Sequence, residues 1–170
     1  KKALNRLFAE LEDISCDLYA MKIYNDSSLM LSLAPHPYST DDKREVYSLS
    51  KSFTSTAVGI LMTEGKLSLD DRLVDLFPDK VPSDMSDKMS RVRVRHILSM
   101  NTGHASCTAP RVFYSDDAVR EFMSIDPEYE PGTHFTYNTG ASCILSCIVE
   151  RVSGMRLLDF LTLKLFVPLG

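Results

Sequence analysis

The residues best suited to chemistry lie in one tetrapeptide, Ser48-Leu49-Ser50-Lys51. If helical geometry begins near Ser48, the residue three positions on shares its face, so the Lys51 amine lies beside the Ser48 hydroxyl. A serine hydroxyl at its free pKa is a weak nucleophile, and a close amine kept neutral could take its proton. A helix N-terminus adds a positive field and free N–H groups for a developing oxyanion. The Ser-x-x-Lys form alone carries little weight, because about one is expected by chance in a chain with this much Ser and Lys. The plain reading is a Ser cap on an amphipathic helix.

The flanking sequence supplies the helix that must position the pair. Phe53, Ala57, Ile60, Leu61 and Met62 recur close to a three-to-four spacing, and Gly65 stands where a helix ends. Val46-Tyr-Ser-Leu-Ser-Lys-Ser-Phe-Thr-Ser55, followed by Glu64-Gly-Lys-Leu-Ser-Leu-Asp-Asp-Arg-Leu73, resembles the serine β-lactamase and penicillin-binding-protein-like family. That family includes class C β-lactamases, DD-peptidases and esterase relatives. The resemblance runs from near Tyr19 to Pro168-Leu169-Gly170, and implies that Ser48 is the acylated nucleophile and Lys51 its proton partner.

A second stretch, Pro131-Gly-Thr-His-Phe-Thr-Tyr-Asn-Thr-Gly140, is similar to the family's Pro-Gly-x-x-Phe-x-Tyr-Ser-Asn passage. The resemblance implies that Tyr137 lies against the nucleophile and shuttles its proton. It also puts Asn138 and Thr139 on the substrate side. The departure is at Thr139, where the family has Asn: a Thr can accept a hydrogen bond from Lys51 but offers no carboxamide to a substrate. Tyr-Asn-Ser/Thr sequences are familiar among the esterase- and amidase-like relatives. His96 resembles a structural helix-start histidine of the family, and His104, after Gly103, is expected in a loop that approaches the cleft.

Composition bounds the partners. An apolar fraction of 44% and a charged fraction of 25% suit a globular domain, or part of one. A net charge of −4 with interspersed signs argues against nucleic acid or an anionic membrane. No apolar run reaches the length of a membrane span. Arg91, Arg93 and Arg95 alternate, and read as a solvated edge. The four cysteines, Cys16, Cys107, Cys143 and Cys147, lack zinc-site spacing and are expected as buried or half-buried thiols. No metal or organic cofactor is implied.

The remaining elements follow from pattern. Residues 1–12 read as an amphipathic helix, and segments 14–24 and 29–33 as a β-hairpin around Asn25-Asp26-Ser27-Ser28. Residues 34–44 read as loop, 69–77 as a short helical passage and 78–90 as loop. Ser115-Asp116-Asp117 caps a helix to Ser124, and apolar helices follow over 141–152 and 157–167. The expected fold is α+β, mostly helical: residues 1–170 as a partial β-lactamase/transpeptidase-like domain, with an N-terminal helix, one hairpin and a helical region. Family members run to about twice this length, and nothing after Gly140 matches their third motif, so the chain reads as an N-terminal half.

The function expected is a serine hydrolase acting through an acyl-enzyme on a small-molecule or peptide amide, ester or β-lactam. The alternatives are a non-catalytic peptidoglycan- or peptide-binding relative, an inactive fragment, and a helical interaction module. Apolar faces on the hairpin and on the helix from Ala141, left uncovered by the absent half, would favour self-association.

Overall fold

The computed structural model describes residues 2–170, in two compact units, one up to residue 46 and one over 47–170. In the first, helix α1 (Lys2–Asp13) precedes an antiparallel hairpin of β1 (Met21–Asn25) and β2 (Ser28–Leu33). Asp26 takes the left-handed conformation (φ 51°) that the tight connection needs. The first strand is shorter than the pattern suggests: residues 14–20 carry no strand. Neither strand buries a residue, and Ile23, Tyr24, Leu29 and Met30 are exposed on them. After the hairpin, Arg44 lies over the rings of Tyr19 and Tyr38 at 4.6 and 4.7 Å and pins the loop that leads to the second unit.

The second unit holds the buried apolar core. Its first long helix, α2 (Ser50–Thr63), turns Ala57, Val58 and Leu61 inward. It ends in a Schellman motif: Lys66 N–H donates to the Leu61 carbonyl and Gly65 N–H to that of Met62, with Gly65 at φ 69°. Short helices follow: α3 (Leu73–Leu76), α4 (Asp87–Ser90), α5 (Val94–Leu98), α6 (Ala109–Val112) and α7 (Ala118–Ser124). Three of their starts are capped by side chains. Ser86 accepts from Met89 N–H, Asp117 from Arg120 N–H, and His96 Nδ1 from Arg93 N–H at 3.2 Å, so His96 is a structural cap.

The centre of the unit is α8 (Thr139–Ser153), a 15-residue helix closed by left-handed Gly154 (φ 72°). Gly140, Ala141, Ile144, Leu145, Ile148 and Val149 are buried along it, against α2, α5, α6, α7 and the following α9 (Leu157–Leu161). Burying one such aliphatic side chain is worth about 1.5–3 kcal/mol, so α8 is the element the others are fastened to. That corrects one expectation: the apolar face of the helix from Ala141 is covered, not left open. A π-helical segment, Thr162–Phe166, and α10 (Val167–Leu169) complete the chain, and Lys164 bonds Glu64 at 2.7 Å.

The alternating arginines form a solvated edge of ion pairs. Arg91 reaches Asp87 and Glu130, Arg95 reaches Asp70, and Arg93 donates to the Asp70 carbonyl. Among the described residues no helix is long and apolar enough to cross a membrane.

Candidate active site

Ser48 does not begin an α-helix. It sits in a 3₁₀ turn, Tyr47–Leu49, that runs directly into α2. A 3₁₀ turn has three residues per turn, so residues i and i+3 eclipse; the pairing read from α-helical spacing survives the change of geometry. Lys51 Nζ donates to Ser48 Oγ at 3.1 Å. Tyr47, just before, is held at φ 43°, a left-handed conformation that a bulky side chain rarely takes. Ser50 Oγ donates to the Tyr47 carbonyl at 2.6 Å and braces that strained turn.

Tyr137 arrives from the other end of the unit. The segment before it is zipped to the loop after α5 by three backbone bonds: Tyr129 N–H to Gly103 O, Gly132 N–H to Asn101 O, and Thr136 N–H to Met100 O. Directly after it, Asn138 caps α8. The Tyr137 hydroxyl donates to Ser48 Oγ at 2.8 Å, and Lys51 Nζ lies 5.2 Å from its ring centre. The hydrogen bond with Ser48 is the main influence holding the Tyr137 phenol below its ordinary pKa, with Lys51 next, by hydrogen bond and by charge. The three side chains therefore meet at one oxygen. Ser48 and Tyr137 are solvent-exposed, and Lys51 is half-buried.

The two residues after Tyr137 fall elsewhere. Asn138 is 1% exposed, and its Oδ1 accepts from Thr108 N–H (3.0 Å), Thr108 Oγ1 (2.9 Å) and Ala141 N–H (3.2 Å). A buried cap presents no face to a substrate, which corrects the expectation for Asn138. Its Nδ2 has no hydrogen-bond partner among the described residues. Thr139 is the first residue of α8 and is half-buried. Lys51 directs its hydrogen bond to Ser48, while the Thr139 side chain lies against Cys107.

Cys107 is the neighbour that sequence reading left out. Its thiol is exposed, against the expectation of a buried or half-buried one, and so is that of Cys16. Partial burial works to raise the Cys107 pKa, but the N–H groups of Ala109, Thr139 and Gly140 and the Thr139 hydroxyl outweigh it and hold the thiol below its usual value. The sign of its position was absent from the sequence, because it depends on the starts of α6 and α8 meeting in space. His104 is a further correction. It is 2% exposed, with Nδ1 at 2.8 Å from Thr102 Oγ1 and Nε2 at 3.1 Å from the Ile125 carbonyl. Burial pushes its pKa below the ordinary imidazole value. It supports the loop from inside instead of facing the cleft.

Comparison with known proteins gives one consistent family. The Beta-lactamase family model matches residues 18–170. Penicillin-binding protein 4* of Bacillus subtilis is 27% identical over 144 residues, 79% of this chain and 30% of that protein. A D-aminopeptidase of Brucella anthropi is 30% identical over 140 residues, 79% of this chain and 26% of that protein. The structure of the octameric penicillin-binding protein homologue from Pyrococcus abyssi superposes with a TM-score of 0.74 at 21% identity, over 99% of this chain and 42% of that one. It shows the fold. The chain thus spans between a quarter and a third of the length of these two curated relatives.

Proposed function

The chain belongs to the β-lactamase family, and from that premise we propose that it carries the nucleophile of a serine hydrolase that forms an acyl-enzyme on an amide, ester or β-lactam carbonyl. The reading rests on one observation: Ser48 Oγ stands 3.1 Å from Lys51 Nζ and 2.8 Å from the Tyr137 hydroxyl. In the resting arrangement both neighbours donate to that oxygen, so one must first be without its proton to act as a base. Tyr137 is the better candidate, since its hydrogen bond with Ser48 and the adjacent Lys51 both favour the phenolate.

In the proposed step, Ser48 Oγ attacks the carbonyl carbon as its O–H proton passes to the Tyr137 phenolate. The proton then moves to the leaving group, whose bond to carbon breaks, and the acyl group stays on Ser48 until water attacks the ester. Lys51 Nζ stands beside Ser48 Oγ and Tyr137, and the N–H of Ser48 at the start of the turn is a donor for the carbonyl oxygen. Thr139 is half-buried at the edge of this site, and the substrate is a small molecule or peptide whose acyl portion lies against the turn.

Covalent labelling tests the reading on the chain itself. A fluorophosphonate should add one adduct, mapped to the peptide containing Ser48, and the adduct should disappear in Ser48→Ala. Labelling that survives Ser48→Ala, or its absence from a folded wild type, overturns the nucleophile. Reversible binding without an adduct would favour a binding protein instead.

A further inference from the structure

A pair of thiols on α8 takes no part in the chemistry above. Cys143 and Cys147 are four residues apart on an unbroken helix and therefore share a face, with Cβ atoms about 5–6 Å apart. Both are half-buried against the core, which limits the room either sulfur has to move away. A disulfide needs Cβ atoms roughly 3.5–4.5 Å apart, so a rigid helix keeps these two from bonding to each other. Solvent reaches one of the two through an opening in the surface: Cys147 borders a cavity of about 340 Å³ between Phe77, Lys80, Asp117 and Arg151.

The two thiols stand one helical turn apart on one face of α8. A hydrogen bond with Cys147 lowers the Cys143 pKa, and the same contact, with burial, raises that of Cys147. The two thiols therefore titrate as a linked pair. A cation that fits between two thiolates can take the place of their protons. Zinc would find only half of its usual four ligands, whereas a soft ion content with two sulfurs would be fully served. Among the described residues no set of three or more His, Cys, Asp or Glu side chains gathers to offer a richer site.

We propose that Cys143 and Cys147 form a dithiol site for one thiophilic, two-coordinate cation, of which the cuprous ion is the probe. Binding breaks two S–H bonds and forms two S–Cu bonds, with both protons released to solvent and no change in oxidation state. The helix supplies the fixed spacing and the cavity the entry route.

The test titrates the folded chain, without oxygen, against the coloured cuprous bicinchoninate complex. One equivalent of copper should be withdrawn by the wild type and by a Cys16→Ser/Cys107→Ser double variant, and none by Cys143→Ser or Cys147→Ser. Because a serine in this half-buried position can disturb folding, a second measurement uses the wild type alone. Bound copper should protect Cys143 and Cys147, but not Cys16 or Cys107, from iodoacetamide in peptide mapping. Native mass spectrometry should show one copper gained for two protons lost. Copper retained by folded Cys143→Ser, protection at Cys107 instead, or no copper withdrawn by folded wild type overturns the proposal.

Discussion

Tyr137 and Ser48 lie 89 positions apart in the chain, and their side-chain oxygens are 2.8 Å apart. This contact joins the start of α2 to the start of α8, the two longest helices of the second unit. If Tyr137 moves the proton, Tyr137→Phe should slow fluorophosphonate labelling of Ser48 by about a hundred- to ten-thousand-fold, with the folded signal and thermal midpoint little changed. The second-order labelling rate decides it; an unaltered rate would make Tyr137 a packing residue.

The same contact should be visible without any reaction. Ser48 is the largest influence holding the Tyr137 phenol below its ordinary pKa of about 10. In Ser48→Ala that influence is gone, so the phenol should ionise at higher pH than in the wild type. The ultraviolet titration assigned to Tyr137, taken as the difference from the matching Tyr137→Phe protein, reads the shift. A downward shift in Ser48→Ala would mean that the Ser48 hydroxyl is not what lowers it.

Asn138 should matter for stability. Replacing it with Ala removes the acceptor for Thr108 N–H, Thr108 Oγ1 and Ala141 N–H at once. Buried donors left without a partner cost about 1–3 kcal/mol, and a lost cap about 1 kcal/mol. Asn138→Asp keeps the accepting oxygen and discards the unpartnered Nδ2, and should lose less than Asn138→Ala at neutral pH. Urea denaturation curves of the three proteins test the order.

Gly140 is where the starts of α6 and α8 approach each other. A Cβ there would collide with Thr108 Oγ1 and press on the backbone of Ala109. Gly140→Ala should therefore destabilise the unit by about 1–3 kcal/mol, although alanine is the better helix former. It should also disturb Cys107, whose thiol rests on the Gly140 N–H. A thermal midpoint equal to or above that of the wild type would show that the two helix starts can separate freely.

Acid should loosen the join between α2 and the end of the chain. Glu64 bonds Lys164 at 2.7 Å and Lys66 at 2.8 Å, and these partners pull its carboxyl down from 4.5 to about 2. A depressed carboxyl contributes stability above its unfolded pKa and loses it as pH falls toward the folded value. The contribution should therefore fade between about pH 4.5 and 2. Glu64→Gln should flatten the fall in thermal midpoint across that window. The difference should shrink in high salt, since the pairs are exposed.

The parts legible in the sequence were those that local chemistry decides. Caps at Asp117 and Gly154, the turn at Asp26 and the stop at Gly65 follow from side-chain or backbone preferences over a few residues. Ser48 and Lys51 were legible because three positions is one turn of either a 3₁₀ or an α-helix. Tyr137 needed resemblance to a family, since no local signal joins residues 89 apart. Asn138 and His104 were misplaced because polar residues beside a motif look functional until burial is known, and both turn inward to satisfy neighbouring donors or carbonyls. The covered face of α8 depends on several short helices whose own periodicity is too brief to announce them.

The contrast between the two contacts at Ser48 extends to the order in which the unit assembles. Lys51 reaches Ser48 within one turn, so that pair should appear on the microsecond scale of helix growth. Tyr137 must wait for the closure of a long loop and the docking of α8, steps whose entropy cost makes distant contacts slow. During refolding, reactivity of Ser48 should therefore lag behind the far-ultraviolet helical signal. Ser48 would be inert while the chain is still incomplete in shape, and become reactive only when the core beneath it has closed.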